Sequence, residues 1–185
     1  MPMSHSFQYL ISIEDPSWQN HALDLEQIIA HAAEIVLPLA DVPALFKQRL
    51  ADINIILTDN DAVQTLNADY REKDKPTNIL TFPQIDCCDQ DDLDMQANMP
   101  AEMPLIFGDL YLAYDVVKSE CAEQEKTFEA HLSHLIIHGI LHLLGYDHIE
   151  TDEAEEMEAI EIKAMVKLGF ENPYADMALV DRMRS

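Results

Sequence analysis

Residues 7–14 alternate apolar and polar positions imperfectly and are rich in β-formers, which predicts a strand. Residues 22–36 switch to helical spacing through Leu23, Ile28, Ile29, Ala32 and Ile35, with Pro38 just past the end. A second, short helix is expected over 42–50, and Ile53-Asn54-Ile55-Ile56-Leu57 reads as another strand. Asp59, Asn60 and Asp61 follow it, and one of them can cap a helix reaching about Tyr70. Residues 71–78 are charged and include Pro76, as expected of a loop; 79–82 is a short apolar strand stopped by Pro83.

Residues 84–104 have no hydrophobic period and carry five aspartates and two prolines, which predicts a flexible acidic loop. A strand is expected over 108–114, with Asp115 as the N-cap of the helix after it. Leu132, Leu135, Ile136, Ile140 and Leu143 give the apolar surface of a helix over 128–144. Asp152 and Glu155 fit a capping box for a final helix to about Leu168, which Gly169 would end. The tail from Glu171 is expected to be loosely held. Strands and helices in this mixed order, with no internal repeat, predict an α+β fold: a small mixed β-sheet packed with helices.

At 185 residues and 48% hydrophobic content, one domain with a substantial core is expected. No apolar stretch approaches the roughly 20 residues that span a bilayer, so no membrane partner is expected. The start Met1-Pro2-Met3-Ser4-His5 lacks the basic and apolar regions of a signal peptide, which points to the cytoplasm. Three cysteines, Cys87, Cys88 and Cys121, form no C-x-x-C and suggest incidental thiols in a reducing compartment.

Chemistry enters with the run His138-Gly139-Ile140-Leu141-His142-Leu143-Leu144-Gly145-Tyr146-Asp147-His148. On a helix, positions i and i+4 lie about 40° apart, so His138 and His142 can aim at one point. Gly145 suits the turn after that helix, and the turn could bring in His148 as a third ligand. Three protein ligands with one open position are the pattern of a catalytic zinc site. The alternative is a polar stripe, because His131, His134, His138 and His142 fall within about 80° of arc. Imidazoles also suit nickel, iron and copper; one Zn²⁺ ion is favoured.

The same spacing belongs to metzincin proteases, which place a glutamate base immediately after the first histidine. Here that position is Gly139. A zinc metallopeptidase-like hydrolase would need a base from elsewhere, such as Asp147 or Glu72.

The eleven-residue run resembles the YbeY family of bacterial rRNA-maturation endoribonucleases. Leu66-Asn67-Ala68-Asp69-Tyr70-Arg71, followed by Pro76-Thr77-Asn78-Ile79-Leu80-Thr81-Phe82-Pro83, resembles a second family stretch, and Phe107-Gly108-Asp109-Leu110-Tyr111-Leu112 resembles its L-G-D-I strand. The resemblance, spanning about residues 52–170, implies an α+β fold, zinc, and single-stranded RNA as substrate in small-subunit rRNA maturation. It implies His138, His142 and His148 as ligands and Arg71 as a functional arginine. Asn78 stands where the family pattern has aspartate, Thr81 where it has serine, and 84–104 looks longer than usual.

A net charge of −24 runs against RNA binding, since phosphates are usually met by lysine and arginine. Arg71, Lys73 and Lys75 nevertheless cluster within five positions. Arg71 is the expected phosphate clamp, with a surface salt bridge as its bland alternative. The acidic run 150–161 reads as a solvated face. Tyr146 and Asp147 either orient ligands or shape the turn, His134 either supports a ligand, contacts substrate or is a core residue, and Asp109 either orients a ligand or packs at the sheet's edge. Attack by a metal-activated water and attack by the RNA 2′-hydroxyl are both compatible with the residues. A third reading is a non-catalytic ribosome-assembly factor whose acidic faces engage ribosomal proteins.

Overall fold

The computed structural model describes residues 7–147 and 151–175. Four strands, β1 (Phe7–Ile13), β2 (Ala51–Thr58), β3 (Ile79–Pro83) and β4 (Leu105–Ala113), form one sheet in the order β1-β2-β4-β3. β1 and β2 pair parallel, as do β2 and β4, while β3 runs antiparallel to β4 along the far edge. Seven α-helices are described: α1 (Leu25–Val36), α2 (Leu45–Gln48), α3 (Asn60–Arg71), α4 (Gln90–Ala97), α5 (Tyr114–Glu123), α6 (Phe128–Leu143) and α7 (Thr151–Lys167). The α+β expectation therefore holds.

The alternation in β2 turns Ile53, Ile55 and Leu57 inward, into the core cluster to which α1 and α6 also contribute, and leaves Asp52, Asn54 and Ile56 half-buried on the other face. α6 lies in the core: Leu132, Ile136, Ile137, Ile140 and Leu141 are fully buried. Its close approach to the sheet requires Gly139, because a Cβ there would stand 2.8 Å from Ile79 Cδ1 and 2.9 Å from Leu110 Cδ2. Position 139 thus faces packed core.

Several boundaries differ from the sequence expectation. α1 begins at Leu25, because Asp24 takes the N-cap and accepts from Gln27 N. α5 begins at Tyr114, so Asp115 lies in its first turn instead of capping it. Asp152 likewise lies inside α7, whose first residue is Thr151. The segment 84–104, expected as an acidic loop, contains α4, capped by Asp89, and its Ile85 is buried in the core. Arg49 holds this segment by donating to the carbonyls of Gln96, Met99, Pro100 and Met103. The described start of the tail, residues 171–175, is held: Lys126 Nζ donates to Pro173 O at 3.1 Å, and Tyr174 Oη donates to the buried Glu161, as described below.

Candidate metal centre and cleft

α6 carries four histidines along one stripe: His131 meets Glu120, His134 and His138 both face Glu161, and His142 meets a main-chain carbonyl. His138 Nδ1 lies 2.7 Å from Glu161 Oε1, and His142 Nδ1 lies 2.9 Å from the carbonyl of Tyr146. Both partners are acceptors, so in the neutral rings both Nδ1 atoms carry the proton and both Nε2 atoms present lone pairs. Those two Nε2 atoms face each other at 3.0 Å. Two lone pairs at that distance repel unless a shared proton or a metal cation stands between them. The donor set fits zinc: two neutral imidazoles, each fixed from behind by an acceptor. His148, the third expected ligand, lies outside the described residues. Among the described residues no group of three or more His, Cys, Asp or Glu side chains is gathered as a metal site.

The loop after α6 is shaped for this arrangement. Gly145 takes φ +93°, a conformation that favours glycine, and a Cβ there would meet Cys88 Sγ at 2.6 Å. Tyr146 serves through its main chain toward His142, while its hydroxyl accepts from Asp41 N at 2.9 Å and ties the turn to the body. Cys87 Sγ approaches Leu143 O at 3.6 Å; burial, with Cys88, Asp86 and Asp92 nearby, pushes its thiol up to about 12, which suits an inert thiol.

His138 and His142 line a cleft of about 440 Å³ together with Arg71, Thr77, Asn78, Thr81 and Asp147. Arg71 is the last residue of α3, and the chain turns sharply after it because Glu72 adopts the left-handed conformation. Its Nη2 points toward Thr81 O on β3, at 3.4 Å. The cleft therefore unites Arg71, His138 and His142. Lys73 and Lys75 are not among its lining residues. Asp109 lies elsewhere, accepting from Asn54 Nδ2 at 2.6 Å. Of the two carboxylates considered as a protease-type base, Asp147 lines the cleft and Glu72 does not.

Two carboxylates supporting the histidines escaped the sequence reading. Glu161 lies in the acidic run assigned to solvent, yet it is 1% exposed. It accepts from Tyr174 Oη as well as His138, and His134 Nε2 stands within ion-pairing distance at 3.6 Å. Burial pushes its carboxyl up, but His134, His138 and Tyr174 outweigh that and bring it from 4.5 down to about 2. The signal was present in the sequence: Met157, Ile160, Glu161, Ala164 and Met165 form one helical stripe, apolar except for the acid. Glu120, on α5, accepts from His131 Nε2 at 2.7 Å and from Asn78 Nδ2 at 3.0 and 3.2 Å. Burial raises its carboxyl, and the hydrogen bonds from His131 and Asn78 more than reverse that.

Comparison with known proteins bears on the whole of this architecture. A family model described as endoribonuclease YbeY matches residues 12–169. A curated protein of Sinorhizobium fredii, named endoribonuclease YbeY, is 36% identical over 175 residues, covering 94% of this chain and 95% of the relative. A namesake from Magnetococcus marinus is 50% identical over 126 residues, covering 66% of this chain and 82% of its own. The solution structure of a Thermotoga maritima protein superposes with a TM-score of 0.51 at 25% identity, covering 87% of this chain and 91% of that one.

Proposed function

The chain belongs to the YbeY family, and on that premise we propose that it is a single-strand-specific, metal-dependent endoribonuclease of ribosomal RNA processing, acting in small-subunit maturation and ribosome quality control in the cytoplasm. The observation that carries this reading is the pair of Nε2 atoms facing each other at 3.0 Å in a cleft that Arg71 also lines. His138 and His142 would hold one zinc ion, with His148 as third ligand from its spacing and from the family resemblance. Bound there, zinc would supply Lewis acidity and an ionisable water at neutral pH.

The chain's own residues would do the rest. Glu161 and the Tyr146 carbonyl keep the two rings in the tautomer that presents Nε2. Arg71 meets the scissile phosphate and offsets the charge that develops on its oxygens. Its exposed guanidinium is a local cation on a strongly acidic body, which makes binding weak and steeply salt-dependent. The peptidase reading loses support at Gly139: the position of the protease base is a packing position against Ile79 and Leu110.

Three substrates separate the readings: a single-stranded RNA, a structured RNA and a peptide, each incubated with the zinc-loaded protein. Cleavage is expected for the single-stranded RNA. Arg71→Ala should retain its metal and lose at least about 10²-fold in kcat/KM, as for removal of one transition-state donor. Full activity in Arg71→Ala removes the phosphate clamp, and cleavage of the peptide alone favours the metallopeptidase.

A further inference from the structure

Asn78 is fixed in the cleft wall by contacts that settle which way its amide faces. Its Oδ1 accepts from Ile79 N at 2.7 Å, and its Nδ2 donates to Glu120. The reversed amide would set a carbonyl against a carboxylate and an NH₂ against an N–H. Glu120 is itself fixed by His131, which is 3% exposed. With Nε2–H given to Glu120, His131 keeps a bare Nδ1, and that atom is buried with no hydrogen-bond partner among the described residues. Nε2 is therefore the donor of this ring, and Glu120 accepts from it and from Asn78 together.

Both Glu120 oxygens lie near the one nitrogen, at 3.0 and 3.2 Å. Carboxylate oxygens so placed subtend only about 40° at Nδ2, whereas the two N–H bonds of an amide diverge by about 120°. One hydrogen therefore serves both oxygens, and the second is directed away from Glu120. Asn78 lines the same cleft as Arg71, His138 and His142.

We propose that Asn78 gives this second N–H to an acceptor oxygen of the RNA, and that Glu120 and His131 are positioning residues that hold the amide in the orientation presenting it. The inference rests on the RNA reading of the cleft. The acceptor is a phosphate oxygen or a base carbonyl, which offer the same chemistry.

The test compares Asn78→Ala, Asn78→Asp and the double variant Asn78→Asp with Glu120→Gln. Three readouts are taken: affinity for a labelled single-stranded RNA with chelator present, KM and kcat with zinc, and the thermal midpoint. Asn78→Ala should weaken RNA binding and raise KM about tenfold, the loss of one hydrogen bond to a charged or strongly polar acceptor, with kcat changed less. Asn78→Asp sets two carboxylates against each other and should be the least stable of the set. The double variant exchanges donor and acceptor across the pair, so its thermal midpoint should return toward wild type. Its KM should stay high, because an oxygen now faces the substrate. Loss of affinity that is equal for oligo(U) and oligo(A) assigns a phosphate; loss spared in oligo(A), whose base has no carbonyl, assigns a base edge. Wild-type KM in Asn78→Ala, or in the restabilised double variant, overturns the proposal and leaves a structural pair. Wild-type protein that binds RNA through Asn78 without cleaving it would instead overturn the nuclease reading alone.

Discussion

Two histidine–carboxylate contacts on α6 have the same length and different work. Glu161 meets His138 at 2.7 Å, and Glu120 meets His131 at 2.7 Å. Glu161 comes from α7 and has a side chain 1% exposed; Glu120 comes from α5 and has one 25% exposed. The difference lies in the other nitrogen of each ring. That of His138 faces His142 in the cleft, so in the proposed function the carboxylate behind it would orient a metal ligand. That of His131 is buried with no hydrogen-bond partner among the described residues, so its ring anchors Glu120, and Glu120 passes the constraint to Asn78. An acid–histidine distance alone does not reveal a ligand-supporting pair; the direction of the remaining nitrogen does.

The largest effect expected from this contrast is on metal affinity. Glu161→Gln should lower zinc affinity by about 10–100-fold, the usual cost of losing a carboxylate behind a ligating histidine. Glu120→Gln should leave it unchanged. Competition with a chromophoric chelator reads both, and equal losses in the two variants would erase the distinction.

A smaller effect should appear in acid, in metal-free protein. The folded value of Glu161, about 2, lies below its ordinary 4.5, so its stabilising contribution is full above about pH 4.5 and is lost as pH falls toward 2. The stability gap between wild type and Glu161→Gln, followed by denaturant unfolding, should narrow across that window. A gap that widens on acidification would mean that the carboxylate is not held ionised by its partners.

Much of this was legible in the sequence where local pattern and tertiary packing agree. The alternation Ile53, Ile55, Leu57 located β2, and the spacing of Leu132, Ile136 and Ile140 located α6. His138, His142 and Arg71 reached one cleft as their motifs suggested. Helix α4 was missed because it buries none of its residues and has no apolar stripe to detect; it depends on Asp89 and on Arg49, an arginine some 50 residues away in sequence. Glu161 was missed because an acidic run reads as a solvated face, and one member of it turns inward with Met157 and Met165. Gly139 was recognised as lacking a base, but the reason, its contact with Ile79 and Leu110, exists only once α6 lies on the sheet.

The central claim is that the facing imidazoles of His138 and His142 hold the metal on which RNA cleavage depends. Zinc titration into chelator-stripped protein tests it most directly, with bound metal and cleavage of a single-stranded RNA measured in the same samples for wild type and His142→Ala. Metal and cleavage should saturate together at one ion per chain in wild type, and His142→Ala should lose both. Undiminished cleavage by stripped protein, or by metal-free His142→Ala, would contradict the claim.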